Sequence, residues 1–133
     1  MKKRVLFLCI GNICRSPMAE ALARHYGSDV LEVSSAGLTP QMSSHAYTRS
    51  VLKEKNVELG DQIPRGFRDL NLSQYDLIVN MSGATLPSSI GVPVEDWDIE
   101  DPYGGSEDDF RTAREVIEMA VMRLILRVRL GKL

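Results

Sequence analysis

A chain of 133 residues, 44% hydrophobic and 26% charged, has the size and balance of one soluble domain spanning residues 1–133, and not those of a disordered chain. A formal charge of −2 gives no general attraction to nucleic acid or to an anionic membrane, so neither is expected as a partner and any anion must be held locally. The only two cysteines, Cys9 and Cys14, lie too close in sequence to staple distant parts of a fold, which sets the expectation of reduced thiols in a cytoplasmic protein.

The apolar run Val5–Ile10 follows Met-Lys-Lys-Arg, but it is short for a signal-peptide core and leads into a loop. Arg4–Cys9 therefore reads as a strand covered on both faces, the central one of a parallel sheet. Ser16 as N-cap and Pro17 as the first helical residue open a helix through Met18–Tyr26, stopped at Gly27. Val30–Ser35 alternates as a second strand closed by Ala36 and Gly37. After a polar stretch to Ser44, the spacing of Ala46, Val51, Leu52 and Val57 predicts a helix ending before Gly60. Residues 61–73 read as irregular or short helical, and Tyr75–Asn80 as a third strand by its β-branched content. A short helix around Leu86–Ile90 and a fourth strand at Val92–Ile99 follow, and Asp101–Gly105 carries turn chemistry. Ser106 with Asp109 signals a helix start, and Phe110, Ala113, Val116, Ile117, Ala120, Val121, Leu124 and Val128 keep helical spacing to the end. No stretch reaches the roughly 18 uninterrupted apolar residues of a membrane span; Ala120–Leu130 is broken by Arg123, Arg127 and Arg129. Strands alternating with helices predict a doubly wound α/β sheet, which binds ligands beyond the carboxyl ends of its strands. Cys9–Ser16 and Asp101–Gly105 both fall at such ends.

The first of these loops carries the chemistry. Backbone N–H groups leading into a helix N-terminus stabilise a thiolate, and Cys9 is placed to be that nucleophile. The same groups at Ile10, Gly11, Asn12, Ile13 and Cys14 form a nest for a tetrahedral oxyanion, with Gly11 supplying backbone freedom. Arg15 adds a planar fork for two oxygens. Ser16 can hydrogen-bond the thiolate besides capping the helix. Metal ligation by Cys9 and Cys14 is the weaker reading, because neither His25 nor His45 stands at a ligand spacing; no metal or cofactor is expected.

Leu-Cys-x-Gly-Asn-x-Cys-Arg-Ser-Pro-Met-Ala-Glu, containing Cys-x5-Arg-Ser, resembles the signature of the low-molecular-weight protein tyrosine phosphatase family. Val33–Gly37, Tyr75–Val79 and Asp101-Pro-Tyr-Gly104 appear in the family's order. The resemblance implies a four-stranded parallel sheet with helices on both faces and the phosphate-binding loop after the first strand. It implies two steps, in which Cys9 attacks phosphorus and Asp101 protonates the leaving oxygen, then activates water. Asn12 would order the loop, Ser35 would support it, and Tyr103 would wall the pocket against an aromatic substrate. Residues alone leave Asp101 one candidate acid among several between Glu95 and Asp101.

The implied substrate is a phosphorylated protein or small aryl phosphate. Two neighbouring branches remain alternatives: arsenate reduction with an external thiol, since no relay cysteine follows Cys14, and protein-arginine phosphatase, which Asp-Pro-Tyr-Gly-Gly-Ser106 also resembles. That last branch places threonine where this chain has Ile13, which favours phosphotyrosine. The chain departs from the family near Asp61, where a histidine is common, and at Met81-Ser82, where an aspartate commonly follows the methionine.

Overall fold

The computed structural model describes Met1–Leu133. Four strands, β1 (Lys3–Cys9), β2 (Leu31–Gly37), β3 (Leu77–Asn80) and β4 (Val94–Asp96), form one sheet in the order β2-β1-β3-β4. Every pairing is parallel. The apolar run at β1 thus lies between two partners, as its lack of alternation requires. The chain winds outward from β1 in both directions, so the switch in strand order lies at the end of β1, where the first loop begins.

The two faces of β1 bury different cores. Val5, Phe7 and Cys9 join Leu31, Leu77 and Val79 under α1 (Arg15–Gly27), α2 (Ala46–Lys53) and α3 (Glu107–Arg129). Leu6 and Leu8 join Ala36, Tyr75 and Ile78 on the opposite face, beneath Leu38, Phe67, Leu70, Leu72 and Ile90. Both faces carry helices, but of different kinds. The second is covered by single 3₁₀ turns at Phe67–Asp69, Leu72–Gln74 and Ser88–Ile90.

Several element ends differ from the sequence expectation for identifiable reasons. Helix α1 begins one residue before Ser16, with Cys14 at the N-cap position and no side-chain cap; the Ser16 hydroxyl is engaged elsewhere. Helix α2 stops at Lys53 because Asn56 turns left-handed at φ 57°. Val57 is buried beyond that turn, so its apolar character reflects the core and not a continuing helix. β4 is only three residues long because the chain folds back after it, the Ile99 N–H donating to the Trp97 carbonyl at 3.1 Å. In α3 the expected capping box forms between Ser106 and Asp109. Its buried face includes Arg114 and Ile125, whereas Val116 points outward.

Candidate active site

The loop after β1 is held from outside through its carbonyls. The carbonyl oxygens of Cys9, Ile10, Gly11 and Ile13 accept from the N–H groups of Leu38, Thr39, Gln41 and His45 at 2.8–3.1 Å. That of Asn12 accepts from Gln62 Nε2 at 3.3 Å, and that of Cys14 from the Met18 N–H at 3.2 Å. No peptide bond is cis, and across a trans peptide the next N–H points away from the carbonyl before it. Six outward carbonyls therefore turn the N–H groups of residues 10 to 15 toward the loop's interior. None of these donates in any turn, loop or cap hydrogen bond. With α1 starting on the same spot uncapped, the loop is a nest of free donors shaped for an anion.

Asn12 locks this geometry. It is the one loop residue with positive φ, 57°, so the left-handed turn of the loop falls at Asn12, a residue type that tolerates it, and not at Gly11. Its amide Nδ2 donates to Ser16 Oγ at 2.9 Å and Ser35 Oγ at 3.0 Å. Its Oδ1 accepts from Gln62 Nε2 at 3.1 Å and the Arg65 N–H at 3.0 Å. Ser35 in turn donates to Glu20 Oε1 at 2.5 Å. Gln62 thus supports Asn12 close to where the family commonly has a histidine. Ser82, in place of the family's aspartate, folds back to donate through its backbone N–H and hydroxyl to Asn80 Oδ1 at 3.0 and 2.6 Å.

Cys9, 2% exposed, forms the floor, and its Sγ lies 2.9 Å from Ser16 Oγ. The Ser16 hydroxyl accepts from Asn12 and can direct its single proton either to this sulfur or to the Ala36 carbonyl at 3.3 Å; an ionised sulfur draws it. Arg15 is buried, its Nη1 donating to the carbonyls of Met81 and Ile99. Its Nη2 faces Asp101 Oδ2 at 3.3 Å. Its buried Nε has no protein partner, a deficit that an anion in the nest would make good. Asp101 is further held by the Tyr103 N–H, which donates to Oδ1 at 3.1 Å. Tyr103 itself is 64% exposed. Burial, with Asp101 and Cys9 nearby, pushes the Cys14 thiol up to about 12.

Cys9, Ile10, Gly11, Ile13, Cys14, Arg15, Asp101 and Tyr103 line one pocket together with Gln41. Asn12 and Ser16 sit behind the loop, and Trp97 packs away from it against Phe7. Gln41 carried no sequence signal of its own, and Gly37 signalled only the end of a strand. A Cβ on Gly37 would lie 2.7 Å from the Ile10 carbonyl oxygen and 2.9 Å from the Asn12 nitrogen, so the loop rests directly on this glycine.

A doubly wound sheet with a cysteine under an arginine-flanked oxyanion nest defines a class of cysteine-dependent enzymes acting on tetrahedral oxyanions. The family model for low molecular weight phosphotyrosine protein phosphatase matches residues 4–132, and the chain belongs to that family. It is 31% identical to a glutaredoxin arsenate reductase of Synechocystis sp. (strain ATCC 27184 / PCC 6803 / Kazusa), over 95% of this chain and 98% of that one. It is 34% identical to a protein-arginine-phosphatase of Geobacillus stearothermophilus, over 93% and 95% of the two chains. A solved structure of an arsenate reductase in the phosphate-binding state superposes with a TM-score of 0.88 at 32% identity, covering 95% of this chain and 98% of the other.

Proposed function

We propose that this protein hydrolyses aryl phosphate esters of the phosphotyrosine kind through a phosphocysteine on Cys9. The observation that carries the reading is the nest of free N–H groups above Cys9 with the unpartnered Arg15 Nε beside it. A phosphate dianion there would satisfy these donors, and such preorganised donors stabilise the charge that spreads over the equatorial oxygens during transfer. The Cys9 thiolate attacks phosphorus as the bond to the ester oxygen breaks. Asp101, protonated, gives its proton to the departing phenolate oxygen.

In the second step the Asp101 carboxylate takes a proton from water, whose oxygen attacks phosphorus and expels the Cys9 thiolate. The Ser16 hydroxyl at 2.9 Å stabilises that leaving sulfur, and inorganic phosphate is released. Ile10 and Tyr103 at the mouth and Ile13 in the wall offer apolar contact to an aromatic ring.

A second reading, arsenate reduction completed by an external thiol, is favoured by the likeness to the Synechocystis enzyme. Side-by-side turnover of phosphotyrosine, phosphoarginine and arsenate with added thiol separates the readings. Phosphotyrosine is expected to be turned over fastest, and Cys9→Ser to abolish hydrolysis in a protein that stays folded. Arsenate turnover exceeding phosphotyrosine hydrolysis would overturn the proposal, as would undiminished hydrolysis by Cys9→Ser.

A further inference from the structure

Only one charged contact ties the Asp101–Gly105 segment to the phosphate-binding loop in the empty site, the Arg15–Asp101 pair at 3.3 Å. An anion taken up at the free Arg15 Nε competes with Asp101 for the same guanidinium charge, yet the acid must stay above Cys9 during the same step. Something other than Arg15 has to hold the segment in place.

His45 meets the requirement. Its backbone N–H donates to the Ile13 carbonyl at 3.1 Å, which fixes it to the phosphate-binding loop. Its Nδ1 accepts from the Tyr47 N–H at 3.1 Å and caps α2, so the neutral ring carries its proton on Nε2. The half-buried ring lies 4.6 Å from the ring of Phe110, in the first turn of α3, and 6.0 Å from that of Tyr103, edge-on at 87°. Both distances fall in the range of favourable aromatic contacts. Tyr103 is also the residue whose N–H holds Asp101. One residue therefore touches the oxyanion loop through its backbone and the acid-bearing segment through its ring.

We propose that His45 is a positioning residue, whose ring keeps Tyr103 and Asp101 registered over Cys9 while the Arg15 guanidinium is shared with the substrate. The inference rests on the phosphatase reading for its kinetic consequence, but its structural content stands apart. Two substitutions divide the roles of the side chain. His45→Asn retains a capping oxygen and loses the ring; His45→Phe retains a ring and loses the cap.

For His45→Asn the expected result is a drop of about 5- to 10-fold in kcat/KM for phenyl phosphate, the factor that a lost aromatic contact carries. The drop for p-nitrophenyl phosphate, whose leaving group needs little protonation, should be smaller, and inhibition by inorganic phosphate unchanged. His45→Phe should recover the wild-type ratio between the two substrates while melting at a lower temperature. Amide hydrogen exchange with phosphate bound supplies a readout independent of turnover: residues 101–105 should exchange faster in His45→Asn, with residues 10–16 unaffected.

Equal loss on both substrates, weakened phosphate inhibition, or unaltered exchange at residues 101–105 would each overturn the positioning role. A wild-type protein inactive on both esters, with the exchange difference intact, would sink the phosphatase reading and leave the His45 contact standing.

Discussion

Gly37→Ala tests whether the oxyanion nest is held against β2. Gly37 pairs with Cys9 in the sheet, its N–H donates to the Arg65 carbonyl at 2.8 Å, and its φ is not positive. Alanine therefore meets no dihedral penalty at this position; the conflict is steric. The new methyl would stand 2.7 Å from the Ile10 oxygen, 2.9 Å from the Asn12 nitrogen and 3.0 Å from the Gly11 carbonyl carbon. All three are backbone atoms of the loop, with no flexible side chain to swing aside. Restoring ordinary contact requires Ile10 to move by about 0.7 Å, and overpacking of this kind costs roughly 1–3 kcal/mol. Displacing the donors by that much from an anion is expected to lower kcat/KM for p-nitrophenyl phosphate about 30- to 100-fold. Inhibition by inorganic phosphate should weaken in parallel, while circular dichroism still reports a cooperative fold with a lowered melting temperature. A folded variant with kcat/KM and phosphate inhibition both within about twofold of wild type would refute the view that the loop is shaped by contact with Gly37.

Asp101→Ala is expected to slow phenyl phosphate hydrolysis by about 10²–10⁴-fold, the usual contribution of a general acid, and p-nitrophenyl phosphate far less; equal slowing of the two would contradict proton donation. For Cys14, the folded thiol is held up at about 12 against an ordinary 9.0. The native state thus keeps a proton that the unfolded chain loses, and stability present below pH 9 is lost as pH rises toward 12. Denaturant melts of wild type and Cys14→Ala between pH 8 and 11 should therefore converge, by up to about 1.4 kcal/mol per pH unit; parallel curves would remove Cys14 as the source.

What could be read from the chain was whatever is contiguous. Cys9 to Ser16 is one loop, so its nucleophile, arginine and following helix were visible together, and α3 showed its period because its buried face repeats along one element. The partners of that loop come from elsewhere. Gln62 reaches Asn12 from 50 residues away, and Gly37 looked like the end of a strand because a missing Cβ is informative only beside the atoms it would strike. Ser16 showed the same limit. A serine ahead of a proline satisfies the rule for an N-cap, but its hydroxyl is engaged by Cys9, Asn12 and Ala36, and the helix starts two residues earlier, at Arg15. His45, which stands at no ligand spacing, caps α2; its contact with Tyr103 depends on two loops that no spacing rule connects.

The choice between hydrolase and reductase turns on what can finish the reaction once Cys9 carries its adduct. In the proposed hydrolysis water does so, with Asp101, 3.3 Å from Arg15 in the lining of the same pocket, as the base. A reductase needs a second thiolate instead. The only other cysteine in the chain is Cys14, and burial holds its thiol up at about 12, so that it stays protonated near neutral pH. Burial thus withholds from Cys14 the ionised form that attack on a cysteine adduct demands. Any arsenate chemistry in this pocket must then import its thiol from solution and bring it down to a Cys9 that is only 2% exposed. The proposed hydrolysis makes no such demand.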